Sequence, residues 1–565
     1  MAIITISDPV SQGGWGIVEG ATNGDTRAIN NSKKFICKFR DTLNNGDIIQ
    51  LDPGVYEFNM IYFQTKDNIE FRTSPNTNGT ATIKQKSVSG RQSVTCANNT
   101  ITWQGAHCWI KISNTDDFFI HDLIIDGRKA NVNGGLMTKG GATNGRIENI
   151  KVYDTERISL VIDGNGAGTT YNITVNNCEA WGQRTWDTSA KAMIIAGGGA
   201  DNITFDNCTS KAQSKYGSYI SPANLLGCDN ATNIEFRNCE ATGASNTPGS
   251  TTGFWQEGNN QASAELHNCS FTKTDGAIGQ AESPANPQGS GNLDLKAYNC
   301  YIDDSSARTS QPWAAWSQGL VNVFELYNCI FNNNGNTNRV NTNIFHGGGI
   351  HFGGGGSSLI KDCTFQNTDS GYNVTWFGTD NQCVQECMSQ GNTRQYCENV
   401  VCAQPSTEYT LENNVFDANL RTHDRGVVNG IVYENWNTLT NGAQYMEGNG
   451  TDWEWIHQTD GGIKSATTTV INTPTSNATV GVYYDSHTTY VQYSSGDLFN
   501  DMLYKMRSAI YNDSSAKITA YINIVDATIT FVQKSGASGN YISFEVDFDE
   551  WQNGQPFSDM YLSMQ

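Results

Sequence analysis

Glu257 and Glu282 close two short segments, Phe254-Trp255-Gln256-Glu257 and Gln280-Ala281-Glu282, and a third segment further on reads Trp313-Ala314-Ala315-Trp316. Two carboxylates beside aromatic platforms are what hydrolysis of a glycosidic bond requires. One acid protonates the leaving oxygen while the other activates water or attacks the anomeric carbon. Glu257 and Glu282 are therefore the candidate acids, with Asp303 and Asp304 as further catalytic carboxylates and Asp275 near them in sequence. Trp255, Gln256, Trp313 and Trp316 are the candidate sugar-binding residues. Two readings compete: solvated surface acids in an acid-rich chain, and Ca2+ coordination, for which no specific motif is present. No cofactor is expected.

A lyase would instead need a base beside a cation that neutralises a uronate carboxylate. Lys211, Lys215, Tyr216 and Arg237 could supply both. His346 and His351 flank a glycine run that reads as a tight corner, because no strand–loop–helix context for a phosphate cradle surrounds it.

For acids and indoles this far apart to meet, the chain must stack them. The phrase Asn-Cys recurs at Asn177-Cys178, Asn207-Cys208, Asn238-Cys239, Asn268-Cys269, Asn299-Cys300 and Asn328-Cys329, about thirty residues apart. The residues before it alternate apolar and polar, as in Asn202-Ile203-Thr204-Phe205-Asp206, which marks a strand with one buried face. Each Asn can bend the backbone and hydrogen-bond its equivalent in the next row. Asp122-Leu123 and Asn149-Ile150 fill the slot upstream, Asp362-Cys363 and Asn414-Val415 downstream. Self-similarity at this period predicts an all-β parallel β-helix of ten or more coils, each stable only on its neighbours. Residues 192–197, 253–258, 277–282 and 313–319 would form one sheet whose outer side chains stand in columns about 5 Å apart.

Both ends read differently. Ile29, Ile36, Phe39 and Leu43 share one helical face, predicting a capping helix within residues 1–45. The β-helix would span 46–430, with a Cys-rich insertion near 376–405 and an irregular linker or closing cap over 431–465. Residues 466–565 read as a small α+β domain. Its helix would run from about 497 to 511, with Leu498, Met502, Met506 and Ile510 on one side.

A formal charge of −21 opposes phosphate binding, so nucleic acid is not an expected partner. No run of eighteen apolar residues appears, so no membrane insertion is expected. Met1 to Asp8 has neither a basic nor an apolar leader region, which predicts synthesis in a reducing cytoplasm. Most of the fifteen cysteines fall one per row, where a reduced thiol acts as a small buried hydrophobe. Cys383, Cys387, Cys397 and Cys402 differ, with a C-x3-C-x9-C-x4-C spacing that suits two disulfides or a zinc ion.

The opening strand, Gly46-Asp47-Ile48-Ile49-Gln50-Leu51-Asp52-Pro53-Gly54-Val55-Tyr56, together with the Asn rows, resembles the pectin-lyase-like right-handed β-helix superfamily over about residues 20 to 430. The Arg-x-Pro-x-x-Arg and Trp-x-Asp-His patterns of its pectate-lyase relatives are absent. The resemblance implies fold more than activity, since lyases, hydrolases, adhesins and viral spikes share it. Among its members the chain is most similar to bacteriophage tailspikes. That implies a homotrimer, a place on the virion beside other virion proteins, and host-surface polysaccharide as the partner. A free polysaccharide hydrolase or lyase and a non-catalytic adhesin are the alternatives.

Overall fold

The structure is a computed structural model. It describes residues 1–7, 14–16, 24–75, 78–97, 99–105, 109–127, 134–165, 169–183, 193–215, 224–243, 251–258, 261–274, 276–282, 293–305, 314–318, 322–334, 350–352 and 356–367. Beyond these it describes separate strands between 372 and 457, then 465–524, 526–534, 537–551 and 553–564. The chain builds a right-handed parallel β-helix of about 7 turns, fewer than the ten or more that corner slots suggest. A corner slot is not yet a coil, because a coil also needs its strands stacked on both sides; the last slot, Asn414-Val415, lies outside the described residues. The residues group into two compact units: 1–295 with 304–322 and 339–341, and 296–303 with 323–338 and 342–565.

In the first unit one turn reads Ile194–Gly197, a bend at Gly198, Asp201–Asp206, a corner at Asn207-Cys208, then Thr209–Lys211. Parallel register sets Ile173, Ile203, Ile234 and Ala264 in one column, and Val175, Phe205, Phe236 and Leu266 in another. These columns are fully buried, and the rings of Phe205 and Phe236 stack 4.5 Å apart. Cys178, Cys208, Cys239 and Cys269 are buried and outside any disulfide, as expected of thiols that fill interior slots.

The corners explain the asparagines. Asn149, Asn177 and Asn207 hold φ of 54°, 51° and 52°, a left-handed conformation that Asn tolerates better than most residues. Asn207 Nδ2 donates to Asn177 Oδ1 (3.3 Å), Asn177 Nδ2 to Asn149 Oδ1 (2.6 Å), and Asn149 Nδ2 to Asp122 Oδ1 (2.9 Å). A second ladder, which the sequence reading did not separate from the first, runs along the opposite ends of the same strands. There Asn202 donates to Asn172, Asn172 to Asn144, and Asn144 to Asp116.

Helix α1 (Gly24–Thr42) covers this unit's first strands, burying Ala28, Phe35, Ile36 and Phe39, with Leu43 just beyond it, while Ile29 stays half-exposed. A disulfide between Cys37 and Cys96 ties it to the antiparallel hairpin of Arg91–Cys96 and Asn99–Gln104. Neither cysteine lies in a row, so nothing in the repeat pointed to the pairing.

In the second unit, Tyr301–Asp303, Ile330–Asn332, Thr364–Gln366 and Met388–Gln390 pair in parallel. Gly356–Lys361, Gln382–Gln385 and Tyr409–Glu412 do the same. The segment expected to be an insertion near 376–405 thus contributes strands to the rows. The side chains of Cys383, Cys387, Cys397 and Cys402 lie outside the described residues. Residues 431–465, expected to be irregular, contain strands Ile431–Thr438, Gln444–Gly448 and Trp453–His457. Towards the C-terminus, Ser465–Thr469, Thr528–Gln533 and Ile518–Asn523 form one antiparallel sheet. His487–Tyr493, Ala478–Tyr484, Tyr541–Val546 and Tyr561–Ser563 form another. Helix α2 (Phe499–Asn512) buries Met502, Leu503, Met506, Arg507 and Ile510, while Leu498 caps its N-terminus at 68% exposure. The buried face is therefore wider than one apolar stripe and takes in a charge.

Asn177→Ala removes both amide hydrogen bonds and places Cβ without compensation at positive φ. It is expected to lower stability by about 2 kcal/mol, with Asn177→Gly losing less, as read from urea unfolding curves. Replacing Cys37 and Cys96 by Ser opens a loop of about 60 residues and should cost up to about 4 kcal/mol. The readout is faster proteolysis in the 91–104 hairpin; unchanged resistance would contradict the tie.

Candidate functional site

Strands Ile158–Asp163, Ile194–Gly197, Leu226–Asp229, Thr252–Gly258, Gly276–Glu282 and Ala315–Gln318 stack in parallel within the first unit. Their register defines three columns. One runs Val161, Ile195, Gly227, Trp255, Gly279, Trp316. Its neighbour two residues on runs Asp163, Gly197, Asp229, Glu257, Ala281, Gln318. Between them lies Ile162, Ala196, Cys228, Gln256, Gln280, Ser317, which strand alternation turns inward.

The outer columns make the candidate site. Trp255 is half-buried and stands in register between Gly227 and Gly279, neither of which has a side chain. Its Nε1 donates to Glu257 Oε2 at 3.1 Å, which fixes ring and carboxylate together. Directly across one rung from Glu257 is Asp229, which is mostly buried and accepts from Asn230 Nδ2 at 2.8 Å. Lys139 closes this acidic column at its far end, with Nζ 3.6 Å from Asp163.

The expected acid pair falls differently. Glu257 pairs with Ala281, and Glu282 pairs with Gly258. The two glutamates are thus offset by one residue along the strands. The side chain of Glu282 lies outside the described residues, as do those of Trp313 and Trp316. Asp303 ends strand Tyr301–Asp303 and accepts from Asn332 Nδ2 at 2.8 Å; Asp304 follows in the turn at φ 48°. Both belong to the corner-strand rows, not to the sheet that carries Glu257. Asp275 is outside the described residues.

Gln256, expected to meet sugar, is fully buried. Its Nε2 donates to the carbonyls of Ala262 and Asp294, its Oε1 accepts from Gln280 Nε2 at 2.9 Å, and Gln280 Oε1 accepts from Ser317 Oγ at 2.6 Å. It is a strut of the interior. The residue missed was Asp229, and aligning Gln256 on Gln280 is the signal that would have set the register and found it.

The cations proposed for a lyase are dispersed. Lys211 lies over the Trp181 ring at 4.9 Å and Lys215 over Tyr153 at 3.7 Å, while Arg237 sits 2.6 Å from both Glu235 oxygens. Tyr216 and His346 are outside the described residues, as is the side chain of His351. Glu235, Glu265 and His267 come within 4.8 Å of one another and have ligand types suited to a metal. Arg237 already neutralises Glu235 there, so an ion would have to displace a guanidinium. Among the described residues, no helix is long and apolar enough to cross a membrane.

No family model and no curated protein matches the chain. Solved structures are similar in fold. ORF18 of Geobacillus virus E2 is 13% identical over 96% of this chain and 76% of its own, with a TM-score of 0.33. PfbA, a surface adhesin of Streptococcus pneumoniae, is 12% identical over 80% and 99%, with a TM-score of 0.42. The tailspike protein of E. coli bacteriophage HK620, in complex with pentasaccharide, is 9% identical over 100% and 93%, with a TM-score of 0.34.

The inward and outward columns respond oppositely to truncation. Gln256→Ala leaves the Gln280 amide and two carbonyls unpaired in the interior and should cost about 2–4 kcal/mol. Trp255→Ala should stay within about 1 kcal/mol of the parent. Thermal unfolding of the two variants side by side checks the assignment.

Proposed function

We propose that this chain binds polysaccharide along the outer face of its second sheet, with Trp255 as the platform and Asp229 and Glu257 as hydrogen-bonding acids. The observation that carries this reading is the indole placed between two glycine rungs and held by Glu257. A flat apolar ring whose register partners lack side chains accepts the apolar face of a pyranose, and flanking carboxylates accept from its hydroxyls. The same pair could cleave what it binds. Adjacent rungs lie about 4.8 Å apart, close to the roughly 5–5.5 Å between the carboxyl groups of a retaining glycosidase. Glu257 with Asp229 is favoured here over Glu257 with Glu282, because the first two are register partners on adjacent rungs.

The finer reading is a bacteriophage tailspike or fibre-like protein, a homotrimer on the virion that engages host-surface polysaccharide. It rests on the resemblance of the opening strand and Asn rows, and on an acidic surface that suits life outside the cell.

Purified capsular and lipopolysaccharide preparations serve as probes. Binding followed by tryptophan fluorescence should weaken about tenfold in Trp255→Ala, on the scale of one aromatic stack of roughly 1–1.5 kcal/mol. If the polymer is shortened, Glu257→Gln should abolish shortening while binding survives. Binding unchanged in Trp255→Ala would remove the site, and a monomer by light scattering would remove the spike.

A further inference from the structure

Helix α2 turns one cation into the interior of the second unit. Arg507 is 1% exposed, and its Nε, Nη1 and Nη2 have no hydrogen-bond partner. Its guanidinium carbon lies 5.7 Å from the centre of the Tyr504 ring, a contact that carries no formal negative charge, so an anion beside it would be strongly favoured. The titratable groups that face it are Tyr504, Cys329, Cys363 and Cys300. Burial pushes the Tyr504 hydroxyl upward, which leaves the phenol neutral. The thiols remain.

Cys300, Cys329 and Cys363 precede Tyr301, Ile330 and Thr364, which pair rung on rung. All three are outside any disulfide and fully buried, and each row leans on the one before it: Cys329 Sγ donates to Ala297 O at 3.6 Å and Cys363 Sγ to Leu326 O at 3.6 Å. Parallel rungs repeat at about 4.8 Å, about twice the roughly 2.3 Å of a zinc–thiolate bond, so an ion of similar size fits between two thiols on adjacent rungs. Thiolate donors select soft ions such as Cu(I) over hard ones.

We propose that Cys329, together with Cys300 or Cys363, binds one monovalent soft cation, Cu(I) or Ag(I), as a linear bis-thiolate whose negative charge Arg507 neutralises. Two S–H bonds break, two sulfur–metal bonds form, two protons leave to solvent and no electron moves. The cation and two thiolates sum to one negative charge, which the guanidinium cancels inside the protein. The first unit supplies a contrast. Cys178, Cys208, Cys239 and Cys269 have the same stacking and burial, and Cys178 faces Glu148 and Cys208 faces Asp206 much as the second column has Asp362 beside Cys363, but the second column also faces the Arg507 guanidinium. The buried guanidinium, not the thiol column alone, makes the site. This inference is independent of polysaccharide binding.

The test is titration of the reduced full chain with Cu(I) buffered by a chromophoric chelator, counting bound ions. Cys329→Ser should hold one ion fewer than the parent, because both candidate pairs use it. Cys300→Ser, Cys363→Ser and Cys208→Ser should each keep the parent count. The cysteines at 383, 387, 397 and 402 contribute equally in every variant and cancel. Arg507→Met should keep the fold, since it replaces an unpaired buried charge by an apolar chain, and should bind at least tenfold more weakly. Equal counts in the parent and Cys329→Ser overturn the proposal. Should Cys329→Ser not fold, unchanged affinity in Arg507→Met overturns it and a tenfold loss upholds it.

Discussion

An L-residue with a side chain enters left-handed backbone at a cost of about 1–2 kcal/mol, yet this chain does so at one corner after another, chiefly with asparagine. Two properties of the side chain make that workable. It tolerates the conformation, and its amide can donate to the turn below while accepting from the turn above. The corner thereby becomes a joint that sets both the bend and the vertical register. Asn177 shows this with bonds to Asn149 below and Asn207 above. Once the corner is fixed, the strand before it and the strand after it have no freedom to slip. Since a one-residue slip would turn every side chain to the opposite face, that joint decides which residues are core and which are surface.

The parts of the fold that obey this joint were legible. The Asn-Cys phrase predicted the corner, the alternation before it predicted Ile203 and Phe205 inside, and the single thiol per row predicted a reduced buried column. What was not legible depended on lengths between joints. The intervals between corners are nearly constant, but the residues separating one second-sheet strand from the next are not. Glu257 is separated by 24 positions from its register partner Ala281 and by 25 from Glu282. Sequence spacing brought the two glutamates onto neighbouring rungs, one residue out of register. The same alternation carried Gln256 inward while leaving Trp255 outside.

Features that depend on residues outside the rows were also hidden. The Cys37–Cys96 bond joins a cap helix to a hairpin, neither of which belongs to the repeat. Arg507 follows Leu503 by four residues, so it shares a helical face with an apolar residue, but a charged side chain suppresses the expectation of burial. Only the three-dimensional placement of α2 shows the cation going inside.

The interior of this fold is not simply apolar, and that restricts where new chemistry can arise. Gln256, Gln280 and Ser317 form a hydrogen-bonded chain along the axis, each member satisfying the next. Substituting any one leaves its partners unpaired, so an inward slot can change only together with its neighbours. The outer column that holds Trp255 is built differently. Gly227, Trp255 and Gly279 share a column in which an indole is flanked by two residues with no side chain at all. An outer position flanked in this way can vary alone, and neighbouring positions in a column are brought within one rung by corners that never touch them. A binding surface on such a scaffold is assembled from residues some thirty positions apart, with its geometry set by amides on another edge of the coil.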